Sequence, residues 1–126
     1  MNSRETFTKF VTAINNHDPD AITALMTPAH RFIDSLGNRV EGAETMRSGW
    51  RGYFAICPDY RIEIADLLAA DDIILATGTA AGTIDDTPWT TPAAWRAVSR
   101  DGLVQEWQVF ADNKPVYDIL ALRAKT

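Results

Sequence analysis

The sequence predicts an α+β fold in which three N-terminal helices pack on one face of a curved, mixed or antiparallel sheet. Three observations carry that expectation. Apolar residues recur at helical spacing in three stretches before Pro58, and from Arg61 to Asp112 they alternate or run together in four consecutive β-type stretches. Those stretches are separated by short turn signals at Asp71-Asp72, Asp85-Asp86 and Asp101-Gly102. Helices segregated from a meander of strands are the mark of a helix layer laid on a sheet.

Ser3 can cap a first helix whose Phe7, Phe10, Val11 and Ile14 fall on one face, and Asn15-Asn16-His17 should end it. His17 in that junction reads as structural. Asp18-Pro19 is a cap followed by a proline at the first helical position, where the missing N–H is harmless. Ile22, Leu25 and Met26 then form the stripe of a short second helix, stopped by Pro28. His30 to Ser35 is β-like and closes on the turn pair Gly37-Asn38. From Ala43 the pattern is helical again, with Met46, Trp50, Tyr53, Phe54 and Cys57 on one side and Pro58 as the stop. So large an aromatic face needs a broad partner such as a curved sheet. Gly49 and Gly52 flank Trp50 and reduce volume where a hollow would open.

Ile62 and Ile64 should face inward on a strand running from Arg61 to Leu68, and Ile73 to Thr79 reads as a strand covered on both faces. Thr90 to Ser99 forms the next, with Pro92 arguing for an edge or bulge at its start. Glycine accepts the positive φ of a tight hairpin, so Asp101-Gly102 should pair Trp95–Arg100 with Leu103–Asp112. Alternation puts Val104, Glu106, Gln108, Phe110 and Asp112 on one face of this last strand, and Leu103, Gln105, Trp107, Val109 and Ala111 on the other. Both faces are apolar, which predicts a central strand covered by helices on one side and by a partner or second layer on the other. A homodimer through the sheet follows, from Ile73 to Leu75 and Leu103 to Phe110. Helices that fill a bent sheet incompletely leave a cone-shaped hollow, and Asp112 ends the row that would enter it.

A chain of 126 residues suits one domain, residues 1–126. Its net charge of −5 repels phosphate backbones and anionic lipid surfaces, so neither nucleic acid nor membrane is an expected partner. The lone Cys57 cannot form an internal disulfide, no signal-peptide pattern opens the chain, and Leu67 to Ile84 is interrupted by Asp71-Asp72 and glycines. The expected setting is soluble and cytoplasmic. Two histidines and one cysteine, far apart, give no metal-ligand spacing. With no phosphate-binding glycine loop or nucleophile-elbow serine either, the expectation is no metal and no cofactor.

Several short stretches occur in a telling order: Asn16-His17-Asp18, Phe32 to Gly37, Val40-Glu41-Gly42, Gly49 to Phe54, Pro58-Asp59-Tyr60, and Asp101-Gly102 followed by Glu106 to Asp112. In that order they resemble the SnoaL-like group of the nuclear transport factor 2-like superfamily, over essentially the whole chain. The resemblance implies a cone-shaped roll, commonly a homodimer through the sheet, with a pocket between sheet and helices. Members include polyketide cyclases, ketosteroid isomerases, dehydratases and epoxide hydrolases beside many non-catalytic proteins, so the fold does not fix the function. In the cyclases an aspartate at the end of the last strand is the general acid or base, and Asp112 is the matching position. The interval from Trp107 to Asp112 is one residue longer than the resemblance to several relatives implies, which points to a bulge that redirects the acid. The Arg-x-Asp arrangement of the epoxide hydrolases is replaced here by Phe110-Ala111-Asp112, and the tyrosine and aspartate oxyanion pair of the ketosteroid isomerases has no counterpart.

Asp112 in an apolar hollow would have a raised pKa suited to proton exchange, whereas at the surface it would cap the turn formed with Asn113 and Lys114. Asp34 shares strand parity with Phe32 and His30, so the three can line one wall as acid/base and hydrogen-bonding groups. The alternative is that His30 begins the strand at the surface and Asp34 organises the loop from Ser35 to Asn38. Phe32, Trp50, Tyr53, Phe54, Tyr60, Trp95 and Phe110, with Gln108 beside Asp112, form the lining expected for an apolar or ring-containing ligand; as plain core they would fill the hollow instead. Tyr53 and Tyr60 can supply a hydroxyl to a ligand oxygen. The leading reading is a cofactor-independent pocket protein, an isomerase, cyclase, dehydratase or hydrolase, in which Asp112 moves a proton. The alternatives are a binding module without turnover and a dimeric interaction domain.

Overall fold

The computed structural model describes residues 2–124. In chain order the elements are α1 (Ser3–Asn15), α2 (Pro19–Ala24), β1 (Met26–Ile33), β2 (Arg39–Glu41), α3 (Ala43–Ile56), β3 (Arg61–Ala70), β4 (Ile73–Ile84), β5 (Thr87–Arg100), β6 (Leu103–Ala111) and α4 (Lys114–Ala124). The strands form one open, curved sheet in the order β2-β1-β6-β5-β4-β3. β1 runs parallel to β6 and every other pair is antiparallel. The α+β class and the mixed sheet are therefore as the sequence predicts, and β2 and α4 are added to it.

The hairpins follow from their turn residues. Ala70 pairs with Ile73, Ile84 with Thr87 and Arg100 with Leu103, so each turn is two residues long. Asp71, Asp85, Asp86 and Asp101 all have positive φ, between 49° and 65°, as does Gly102 at 78°. Aspartate tolerates this left-handed region because its short side chain bonds locally.

Four local expectations are corrected. Asn2, not Ser3, caps α1, its side chain accepting the Glu5 N–H. α2 ends at Ala24, and Met26 and Pro28 belong to β1, where the ladder to β6 is interrupted between Met26 and Arg31. Pro92 lies in the central strand β5, one residue beyond the last β5–β6 pair, Ala93 with Ala111. Gly49 and Gly52 are exposed on α3 and leave no room inside the fold.

Trp107 explains which face of the sheet became the inside. Phe7 and Phe10 of α1 pack on it with ring centroids 5.4 and 4.8 Å away. Asn15 then ties the end of α1 to β3, donating to the Ile62 carbonyl and accepting the Ile62 N–H, both at 2.9 Å. Among the described residues no helix is long and apolar enough to cross a membrane.

Candidate functional site

β5 lays down the floor. Trp89, Thr91, Ala93, Trp95 and Ala97 alternate inward and are buried. Register sets Thr91 beside Ala80 and Ala93 beside both Gly78 and Ala111, so small side chains occupy the sheet between Trp89 and Trp95. α3 lowers aromatic groups over this floor because Trp50, Tyr53 and Phe54 sit three and four residues apart on its apolar face. Trp50 stacks on Phe54 at 5.5 Å and meets Phe32 of β1 edge-on at 6.3 Å and Tyr60 at 6.4 Å. Tyr60 in turn meets Tyr53 at 5.0 Å and Trp89 at 6.1 Å. His17 holds this corner from the α1–α2 junction, its Nε2 2.5 Å from the Tyr60 carbonyl and its ring against Phe54. α4 contributes Val116 and Ile119, both buried, to the same core, and Tyr117 lies near enough to influence the Tyr53 phenol.

The electrostatics of this aromatic cluster come from burial. Desolvation pushes the Tyr53 and Tyr60 phenols well above their ordinary value, so both stay protonated at any physiological pH. Burial also pushes the Cys57 thiol up. Several buried polar atoms have no hydrogen-bond partner among the described residues: Nε1 of Trp50, Trp89 and Trp95, Nε2 of His30 and Oγ1 of Thr27. Of these, Trp89 has the weakly accepting Cys57 sulfur close by.

The predicted residues fall into three places. Phe32, Trp50, Tyr53, Phe54, Tyr60 and Trp95 are brought together between helices and sheet. His30 is also inside, but beside α1, its ring 6.1 Å from that of Phe10. Its Nδ1 lies 2.8 Å from the Val104 carbonyl, which can only accept, so Nδ1 carries the proton. Asp34 leaves that wall: Oδ1 accepts the N–H groups of Leu36 and Asn38, each at 2.9 Å, and Oδ2 accepts the Asn38 amide at 3.2 Å. It organises the loop.

Gln108, Phe110 and Asp112 lie on the opposite side of the sheet. Gln108 pairs with Arg96 and Phe110 with Ala94 on the outer face. A bulge is present in β6, but it falls between the Val98–Glu106 and Ser99–Val104 pairs. It moves Val104 inward to join Trp107 and leaves Asp112 outside. The Asp112 carboxylate is exposed, with Oδ1 accepting the Lys114 N–H at 3.1 Å where α4 begins, while its carbonyl accepts the Thr91 hydroxyl at 2.7 Å. With Phe110, Thr77, Thr79, Pro92 and Ala94 it lines an open depression of about 850 Å³. Farther along the same face the Glu106 carboxylate is held between Arg31, at 3.1 Å, and Arg96.

Sequence reasoning missed the inward position of Trp89 and the whole of α4. The signal for α4 was present in Asp112-Asn113-Lys114-Pro115, a capping pair followed by an early proline, with Val116, Ile119 and Leu120 at helical spacing.

No protein of curated function matches this sequence. Solved structures do. An NTF2-like protein from Burkholderia thailandensis is 19% identical, with 95% of this chain and 98% of that one covered and a TM-score of 0.82. An LEH-like epoxide hydrolase of Mycobacterium tuberculosis is 16% identical over 98% and 96% of the two chains, also with a TM-score of 0.82. A Catenulispora acidiphila protein with a ketosteroid isomerase-like fold, crystallised with trimethylamine, is 20% identical over 84% of each chain with a TM-score of 0.77. At these identities the likeness is one of fold. The SnoaL-like domain model matches residues 7–112, which stops just short of α4. The chain belongs to the SnoaL-like domain family.

Proposed function

We propose that this chain is a small-molecule pocket protein whose ligand, apolar or ring-containing, is held between α3, α4 and the inner face of β4, β5 and β6. One observation carries the reading: large aromatic walls close over a floor of small residues, Gly78, Ala80, Thr91, Ala93 and Ala111. These small side chains contribute little volume of their own, so the space above the floor is taken by side chains from the helices. Tryptophan makes the test direct. Titration with small bicyclic compounds should quench and shift the intrinsic fluorescence saturably and raise the melting temperature; a panel of such compounds with no saturable response removes the proposal.

Acid/base turnover through Asp112 is the second reading, favoured by its sharing a depression with Phe110. The two separate cleanly. In the chamber reading Asp112→Asn changes ligand affinity less than about twofold, because the carboxylate stands outside the enclosure and only ties down the start of α4. A loss of turnover in that variant with binding intact would assign Asp112 the proton step.

A further inference from the structure

The geometry points to a second binding site, on the outer face of the sheet: the open depression beside Phe110 and Asp112 takes a small organic cation, a protonated amine on an apolar body.

The sheet register builds this site. Antiparallel partners project to the same face, so one row across the strands reads Asp66, Thr77, Ala94, Phe110, and the next reads Glu63, Thr79, Pro92. Ala94 and Pro92 keep the middle of the two rows low. Phe110 closes one side with its ring 49% exposed, and Asp112 closes the end where α4 begins. The resulting volume of about 850 Å³ falls in the range of small-molecule sites.

The chemistry of the lining selects the sign of the ligand. Among the described residues that line the depression there is one carboxylate, Asp112, and no cation. Asp112 uses only Oδ1 on the Lys114 N–H, which leaves Oδ2 for a ligand. Thr77, Thr79 and Thr90 add exposed hydroxyls that can accept from an ammonium. Asp66 and Glu63 stand beside Thr77 and Thr79 in the two rows and add negative charge at the rim. The cations that border the site are directed elsewhere: Lys114 to Asp118, Arg96 to Glu106, and Arg61 toward Glu63 and the adjoining hollow of about 530 Å³. An anion here would meet repulsion without a counter-charge. An ammonium would meet the Asp112 carboxylate and the face of an exposed aromatic ring, while its apolar body covers Ala94 and Pro92. The depression lies across the sheet from the aromatic cluster, so this inference stands or falls apart from the chamber reading.

The test titrates the full chain, ¹⁵N-labelled, at neutral pH and low ionic strength with three probes of one shape: phenethylamine, 2-phenylethanol and 3-phenylpropionate. The amine should bind at least tenfold more tightly than the alcohol, equivalent to about 1.4 kcal/mol, and the carboxylate most weakly. Amine binding should shift the amides of Thr77, Thr79 and Phe110, leave those of Trp50 and Tyr53 in place, and weaken as salt is added. Asp112→Asn keeps a residue able to cap α4 and should lower the preference for amine over alcohol to about threefold or less. Phe110→Leu should weaken the amine by about threefold or more. Equal affinity for amine and alcohol, or an amine preference that survives Asp112→Asn, would overturn the inference. So would amine shifts centred on Trp50 and Tyr53, which would put the cation on the helix side of the sheet. A second copy seated on this face would hide the site, so the titration is repeated over a dilution series; an amine that fails to bind at the lowest protein concentration also overturns the inference. Should Asp112→Asn fail to fold, the salt dependence and the amide shifts of the wild type decide.

Discussion

His30 takes the place of a rung in the β1–β6 ladder. β1 uses the stretch from Met26 to Arg31 to advance past what β6 covers from Val104 to Glu106, and the gap is closed by the imidazole N–H on the Val104 carbonyl. The ring is completely buried and therefore neutral: burial pulls its pKa below 6.5, with the Val104 bond and nearby Glu106 opposing more weakly. The unfolded chain then binds more protons than the folded one as pH falls through 6.5, so this contribution is intact above that pH and lost below it. Urea unfolding should show stability declining from about pH 7.5 to about pH 5.5. His30→Leu should flatten that decline while being less stable at pH 7.5 by about 1–3 kcal/mol, because the Val104 carbonyl is orphaned. A parallel decline in both proteins would place the effect elsewhere. Two glycines give a sharper contrast. A Cβ on Gly78 would lie 1.8 Å from the Glu63 carbonyl oxygen, backbone that cannot step aside beside the β3 bulge. Gly78→Ala should therefore unfold the protein or remove roughly 3 kcal/mol or more. Gly52→Ala meets nothing within 4 Å in an exposed helix interior and should add about 0.5–1 kcal/mol in the same denaturant assay.

Among the elements, α4 is the one whose placement has the most consequence. It carries Val116 and Ile119 into the core and is fastened at its far end by Arg123, which grips Asp85 of the β4–β5 turn with bonds of 2.8 and 2.6 Å. Val116→Asp would put a carboxylate where no counter-charge waits, so α4 should lift and stability fall by roughly 2–4 kcal/mol. Acrylamide should then quench tryptophan fluorescence more strongly than in the wild type; unchanged quenching with α4 unseated would show that it is no roof. The helix was hard to read because Tyr117 and Leu122 place large apolar groups on its outer side, so no single face stands out. The hairpins were legible because each turn carries its own chemistry in the aspartates and Gly102. So were the aromatic groups of α3, whose spacing allows one face. The last strand was legible only to parity. Alternation sorts residues into two faces without saying which is inside, and the choice was made by Phe7 and Phe10 landing on Trp107. That choice sent Gln108, Phe110 and Asp112 outward. Nothing in Gln105 marks the bulge that moved Val104.

At the scale of the molecule, the outer face of the sheet remains to be covered. Leu68 and Leu75 pair across β3 and β4 and are 73% and 52% exposed, and Phe110 of β6 is 49% exposed. Isolated exposed apolar residues are ordinary, but three on one sheet face, with Ile73 and Val98 half-buried among them, make a surface suited to a second copy. We expect a dimer at micromolar concentration by sedimentation, with Leu75→Arg and Phe110→Arg each giving monomer whose stability has changed by no more than about 0.5 kcal/mol. Monomeric wild type would end this expectation. The same variants decide between the two faces as ligand sites. A dimer that covers Phe110 also covers the depression it shares with Asp112, so a ligand on that face competes with assembly, whereas one in the chamber does not. Phe110→Arg should therefore break the dimer and still bind the chamber ligand with nearly unchanged affinity. Loss of ligand together with loss of the dimer would move the site from the helix side of the sheet to the outer face, and with it the chemistry to Asp112.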